Sequence, residues 1–285
     1  MDTPDSAVAV VGTLNMDLIV RVDRMPDVGQ TVLGTSLRHR PGGKGANQAL
    51  AAAMIAPTAM IGAVGDDDAG ARLVATQRSA DVDVTHLKRV DTISGQAIIE
   101  VDAVGDNRIV VLSGANAALT AEDVRRGLDD VDPIVVLTQL ESPAAVTRAT
   151  AQWAIANDRR FVLNPSPVAE LDEHILAVAD PLVVNDGEAS FYAGDDTDDP
   201  TDLARGLLGV ARSAVVTLGG HGVVVAADPD DIRHIAVEDV DAVDTTGAGD
   251  VFAGTLAAHL ARGTALPEAC EIAARAATDH VARPR

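Results

Sequence analysis

Apolar residues along this chain follow two rhythms. Short unbroken runs such as Ala7-Val8-Ala9-Val10-Val11, closed by Gly12, have the length and continuity of strands buried on both faces of a parallel sheet. A second run covers 58–64, and Gly65-Asp66-Asp67-Asp68 then leads into a helix through about Arg78. From Thr120 onward strands and helical-period segments alternate. Thr120-Ala121-Glu122-Asp123 carries capping chemistry for a helix start. Strands are predicted over 134–138, 161–163, 182–184 and 214–218, with a helix over 143–157 and a hairpin over 223–227 and 232–237. Closing helices are predicted over 249–261 and 267–281. This alternation implies an α/β fold with a mostly parallel central sheet and helices on both faces.

Four segments break the rhythm. Those over 18–22 and 31–38 read as strands joined by a turn rich in Pro26, Asp27 and Gly29, and those over 95–101 and 108–112 flank the hairpin signal Val104-Gly105-Asp106-Asn107. No helix separates the members of either pair. Together they are expected to form a small β-sheet lid. The parse is one domain over 1–285, with lid strands inserted at about 18–38 and 95–112.

Polar residues recur where strands end: Asn15, Asp17, Glu141, Asn164, Asn185 and Thr217. One polar strand end is ordinarily a turn or a cap; several on one sheet edge favour a ligand site, since open α/β sheets bind at their carboxyl ends. Pro41-Gly42-Gly43-Lys44-Gly45-Ala46-Asn47-Gln48-Ala49 is a Gly-rich loop entering a helix predicted over 45–56. It lacks the Gly-Lys-Ser/Thr of a Walker A loop. Taken alone, it serves a plain helix-entry turn equally well. Asp244-Thr245-Thr246-Gly247-Ala248-Gly249-Asp250 sets two glycines ahead of another apolar helix. The N–H groups at such a helix start attract anions, and Asp250 falls in the first turn, beside any phosphate bound there.

Composition narrows the chemistry. Of 285 residues, 47% are hydrophobic, mostly Ala and Val, and 2% are aromatic, so a site must use backbone, polar and aliphatic contacts. The formal charge is −21, from 43 acidic against 22 basic residues, and lysine occurs only at Lys44 and Lys88. No basic patch is available for nucleic acid or an anionic membrane. The acidic surface, including Asp195-Asp196-Thr197-Asp198-Asp199, is either ordinary solvated polarity or an adaptation to a high-salt cytoplasm, where self-repulsion is screened. The lone Cys270 permits no internal disulfide, which fits a reducing, cytoplasmic setting. Met1-Asp2-Thr3-Pro4-Asp5 lacks the positive charge of a signal peptide, and no apolar run is long enough to span a membrane. The seven histidines form no ligand-spaced pair, which argues against a metal hydrolase.

Asn15-Met16-Asp17, Gly42-Gly43-Lys44-Gly45-Ala46-Asn47, Asn185-Asp186-Gly187-Glu188 and Asp244 to Asp250 occur in an order that resembles the ribokinase-like carbohydrate kinases. Gly114-Ala115-Asn116, Glu141-Ser142-Pro143 and Asn164-Pro165-Ser166-Pro167 extend the resemblance over nearly the whole chain. It implies transfer of the γ-phosphate of ATP to the 5-hydroxyl of D-ribose. Asp250 matches the general base, and the N–H groups of Gly247, Ala248 and Gly249 match an anion hole. Asn15, Asp17, Gly42, Gly43, Lys44, Asn47 and Glu141, with Asp250, match the sugar-binding set. Thr217, Gly219 and Gly222, with Asn185 and Gly249, match the nucleotide site. Asn185 and Glu188 match the residues that organise Mg²⁺ through waters, and Asp244 and Thr246 match part of a K⁺ site. A homodimer joined through the lid is implied as well.

The family normally continues after its last helix with a Gly-Ala-containing segment that completes the K⁺ site. Val281-Ala282-Arg283-Pro284-Arg285 stands where that segment begins, and Ala274 stands where a polar adenine contact is common. On this reading the C-terminal wall of the nucleotide pocket is incomplete. The alternatives to a ribose kinase are a kinase for another sugar or a nucleoside, or a catalytically weak sugar-binding protein. His221 reads as a solvated loop histidine.

Overall fold

The run at Val8 alternates its side chains between two helical layers, and this sets the plan of the molecule. In the computed structural model, which describes residues 7–194 and 197–282, Val8 and Val10 pack among Ala49, Ala52, Ala253 and Leu256. Ala9 and Val11 face the opposite way, toward Val124, Leu128, Val146 and Trp153. All four residues of this strand are fully buried. A period-2 backbone between two apolar layers therefore needs no polar alternation, which is why the run is continuous. Met1 to Asp5, Asp195-Asp196 and Arg283-Pro284-Arg285 lie outside the described residues.

The strands in chain order are β1 (Val8–Val11), β2 (Asn15–Val22), β3 (Gly34–Gly42), β4 (Thr58–Gly65), β5 (Leu87–Val90), β6 (Gly95–Val101), β7 (Asn107–Leu112), β8 (Val135–Thr138), β9 (Arg160–Leu163), β10 (Ala179–Asn185), β11 (Ala214–Thr217), β12 (Val223–Asp228) and β13 (Asp231–Ile235). The helices are α1 (Lys44–Ala53), α2 (Asp68–Ser79), α3 (Ala121–Val131), α4 (Ala144–Ala156), α5 (Glu173–Leu176), α6 (Asp186–Ala193), α7 (Pro200–Leu207), α8 (Ala248–Ala261) and α9 (Leu266–Val281). Nine strands form one sheet in the order β13-β12-β11-β10-β9-β8-β1-β4-β5. It is parallel except at β12 and β13, which pair antiparallel at one edge. The lid strands form a second sheet in the order β3-β2-β6-β7.

Several expected boundaries move. Asn15 and Asp17 do not end β1; they begin lid strand β2, after the short link Gly12-Thr13-Leu14. The second lid strand is Gly34–Gly42 rather than 31–38, so Gly42 closes a strand and lies opposite Asn15. The Gly-rich loop shrinks to Gly43, whose φ of 92° favours glycine, and α1 starts at Lys44. Strand β5 was not predicted, because Lys88 and Arg89 interrupt its apolar pattern. The capping box at Thr120 and Asp123 is present as expected.

Close contact between α1 and α8 positions the site. A Cβ on Gly254 would lie 2.2 Å from the Gln48 carbonyl oxygen and 2.8 Å from the Ala51 Cβ. Small residues at this crossing bring the two helix starts together, so short side chains on one reach the other. The alanine-rich composition is thus used in the packing, with Ala49, Ala52, Ala253 and Ala257 all fully buried.

Candidate active site

The carboxyl ends of β1, β8, β9, β10 and β11 line one edge of the large sheet, and the N-termini of α1 and α8 meet above them. Asp250, in the first turn of α8, is 8% exposed. Its Oδ2 accepts a hydrogen bond from Asn47 Nδ2 (2.9 Å) and its Oδ1 accepts one from Gln48 Nε2 (3.0 Å). Burial pushes its pKa above the ordinary carboxylate value; the Lys44 charge and the two amide donors oppose that, and Glu141 adds to it.

A second buried carboxylate stands nearby. Asp17 on β2 is opposite Arg40 on β3, whose Nη2 donates to Asp17 Oδ2 at 3.4 Å. Burial raises its pKa, Arg40 lowers it, and Glu141 and Asp250 raise it further. Glu141 Oε2 accepts from the Lys44 backbone N–H (3.1 Å) at the start of α1 and makes a short bond with the Thr13 hydroxyl. Asn15 Oδ1 accepts from Asn116 Nδ2 (2.8 Å), and the same Asn116 amide bonds the Leu14 backbone through both its N–H and its carbonyl. Asn15, Asp17, Gly42, Gly43, Lys44, Asn47, Glu141 and Asp250 are therefore brought to one place from four elements and two loops. Its acceptors and donors match the hydroxyls of a polyol.

On the other flank of the α8 N-terminus lies a cavity of about 210 Å³, lined by Thr217, Gly219, Gly222, Ala248 and Gly249 among others. Ala274, Ala277, Thr278 and Val281 of α9 supply a wall on the side where the sequence suggested a gap. Gly247, with φ 79°, caps α8, and a Cβ built on Gly249 would meet nothing within 4 Å, so open space faces the helix start. A 14-residue helix aimed into a cavity in this way presents N–H groups and a positive dipole end to an anion. His221 is exposed, as expected.

The expected cation residues are held by local bonds. Asn185 and Glu188 form a reciprocal capping box on α6: Asn185 Oδ1 accepts from Glu188 N–H (2.8 Å), and Glu188 Oε2 accepts from Asn185 N–H (3.0 Å). Asp244 Oδ1 accepts from Thr246 N–H (2.9 Å), and the Thr246 carbonyl accepts from His280 Nε2 (3.2 Å). Among the described residues no cluster of three or more His, Cys, Asp or Glu side chains could cage a metal ion. Asn185 pairs in register with Thr217, which lines the cavity, whereas Glu188 is not among the residues that line it.

Sequence reasoning missed Thr13, Arg40, Gln48 and Gln139. Arg40 was legible in principle, since extending the lid strand to Gly42 sets it opposite Asp17. The pairing of Gln48 with Asp250 spans 202 positions and leaves no local signal.

Comparison with known proteins agrees with this arrangement. The family model described as pfkB family carbohydrate kinase matches residues 5–284. The chain belongs to this family. A ribokinase of Bacillus subtilis is 36% identical over 274 residues, covering 95% of this chain and 91% of its own. A deoxyribokinase of Salmonella typhi is 32% identical, covering 88% of this chain and 84% of its own. The structure of Arabidopsis thaliana ribokinase complexed with ribose and ATP superposes with a TM-score of 0.89 at 25% identity, covering all of this chain and 94% of that one. As a pfkB family member with ribokinase relatives, the protein is an ATP-dependent carbohydrate kinase. No helix among the described residues is long and apolar enough to cross a membrane.

Proposed function

We propose that this kinase phosphorylates D-ribose at O5, forming ribose 5-phosphate, with Asp250 as general base. The observation that carries the reading is the position of Asp250. It lies between a buried polyol-type cluster and a cavity at the anion-attracting start of α8. In the step, the sugar hydroxyl oxygen forms a bond to the γ-phosphorus as its proton passes to a carboxylate oxygen of Asp250. The bond from the γ-phosphorus to the β–γ bridging oxygen breaks, and ADP leaves. Asp17 accepts hydrogen bonds from sugar hydroxyls, while Lys44 and Asn47 donate. The N–H groups of Gly247, Ala248 and Gly249 stabilise charge on the transferred group. Asn185 and Glu188 would hold Mg²⁺ through waters, and the ion would neutralise phosphate charge when bound. Asp244 and Thr246 would contribute to a K⁺ site.

A second reading keeps the chemistry and changes the acceptor to deoxyribose, and the deoxyribokinase relative favours it. An ADP-release assay over ribose, deoxyribose, fructose and nucleosides separates the two. Ribose should give the highest kcat/KM, and Asp250→Asn should lower kcat by about 10²–10⁴-fold while sugar binding persists. A wild-type kcat in Asp250→Asn would sink the role of the base.

The lid supports a homodimer. Ile19, Ile99 and Ile109 are cross-strand neighbours on the face that carries Asp17. Ile109 and Val111 on that face are 53% and 52% exposed. A second lid laid on this face would cover them.

A further inference from the structure

Asp250 is held by one amide from the sugar-binding set and by one that no substrate can reach. Asn47 is partly exposed, whereas Gln48, the next residue of α1, has no exposed surface. Gln48 Nε2 spends both of its hydrogens, one on Asp250 Oδ1 (3.0 Å) and one on Asn164 Oδ1 (3.1 Å). Its Oε1 accepts from Gln139 Nε2 at 2.6 Å. Asn164 is oriented in turn, because its Nδ2 donates to the Val183 carbonyl on β10 (2.9 Å). A flipped Gln48 amide would set its carbonyl against two acceptors, so only one orientation fits this chain of bonds.

We infer that Gln48, locked by Gln139 and Asn164, is the positioning residue that aims the Asp250 carboxylate at the acceptor hydroxyl. The inference rests on Asp250 being the base. Each carboxylate oxygen of Asp250 receives one amide N–H, which fixes the plane of the group and leaves a further lone pair on each oxygen. The two donors differ in duty. Asn47 is shared with the sugar, so its bond to the base changes as substrate enters. The Gln48 bond is anchored in the protein on three sides and stays in place. A buried relay of this kind fixes a reacting group because each member's alternatives are blocked by its neighbour. Gly254 belongs to the same device, since the bare Cα there lets α8 lie against the Gln48 backbone.

The groups facing Asp250 are Lys44, which favours its ionised form, and Glu141, which opposes it; Asp250 in turn raises the pKa of Asp17, which Arg40 pairs. Removing the Gln48 donor from a carboxylate already raised by burial raises it further, so the acid limb of kcat moves to higher pH.

The test compares the wild type, Asp250→Asn, and Gln48→Met, which keeps the length and removes the amide. Gln48→Met should lower kcat about ten- to a hundredfold, leave KM for ribose and ATP within about threefold, and shift the acid limb of kcat upward. Should Gln48→Met fail to fold, Gln139→Met removes the lock without touching Asp250, and a roughly three- to tenfold fall in kcat in the same pattern is expected. A wild-type kcat and pH profile in the relay variants, with Asp250→Asn inactive, overturns the positioning role alone. Undiminished turnover in Asp250→Asn overturns the base, and the relay's catalytic meaning with it.

Discussion

Replacing Gly254 with alanine tests whether the α1–α8 crossing sets the geometry of the base. The added Cβ would lie 2.2 Å from the Gln48 carbonyl oxygen, 2.8 Å from the Ala51 Cβ and 3.1 Å from the Ala52 nitrogen, while ordinary contact begins at 3.4 Å. Two of the three atoms are backbone, so no side chain can swing aside. Relieving the closest contact requires the helices to part by 3.4 − 2.2, or roughly 1.2 Å. The bonds from Asn47 and Gln48 to Asp250 start at 2.9 and 3.0 Å. A displacement of that size takes them beyond about 3.6 Å, where they no longer count as hydrogen bonds. Overpacking of this kind costs about 1–3 kcal/mol, which lowers Tm by roughly 2–10 °C in a chain of this size. Misplacing a reacting group by about 1 Å costs on the order of 10²-fold in rate. Gly254→Ala should therefore fold, with a reduced Tm by calorimetry and a kcat lowered about a hundredfold in a coupled ADP assay. The activity loss should exceed what partial unfolding at the assay temperature explains. Full kcat together with an unchanged Tm would refute the idea that this contact aims the base.

Other outcomes follow from the same structure. If Asp17 binds the sugar as proposed, its ionised form accepts from hydroxyls with both oxygens, and burial raises its pKa above 3.8, so KM for the sugar should climb as pH falls through that raised value. Asp17→Asn should flatten that dependence as well as weaken binding; a KM that climbs just as steeply in the variant assigns the effect elsewhere. Asp67 caps α2 and accepts from Gly70 N–H, Ser94 N–H and the Ser94 hydroxyl, so Asp67→Ala should cost about 2–4 kcal/mol in urea unfolding. Burial raises the Asp67 pKa, but the bonds from Ser94 and Gly70 outweigh it and hold the group below 3.8. Its contribution is thus complete above 3.8 and fades as pH falls through the lower folded value; equal costs at about pH 7 and about pH 2 would contradict the linkage. Ile109→Lys in the lid should convert dimer to monomer in sedimentation, and an unaltered sedimentation coefficient would remove this face from the interface. With a formal charge of −21, the protein should gain thermal stability as KCl approaches molar concentrations, and a flat response would make the acidity ordinary surface polarity.

The reach of the sequence is clearest at β1 and β6. A run buried on both faces is apolar at every position, and the hairpin signal at Val104-Gly105-Asp106-Asn107 sits between matched strands, so both elements were legible. Strand β3 was misplaced because most of it is exposed on both faces, and without a buried face the side-chain alternation carries no register. The motif order likewise singled out Asp250, Asn47, Asp17 and Glu141, which the fold gathers around the start of α1. What the sequence by itself determined is most of the strands and helices, though not β5 or the bounds of β3, and which side chains can do acid–base and polyol chemistry. Those properties depend on neighbours a few positions away or on the side chain itself. Only the tertiary structure decided that Arg40 sits over Asp17, that Thr13 and the start of α1 hold Glu141, and that Gln48, Gln139 and Asn164 form a buried chain of bonds ending on Asp250. The Gln48 contacts join residues about 90 to 200 positions apart and depend on how closely two helices approach, a distance that no local pattern encodes.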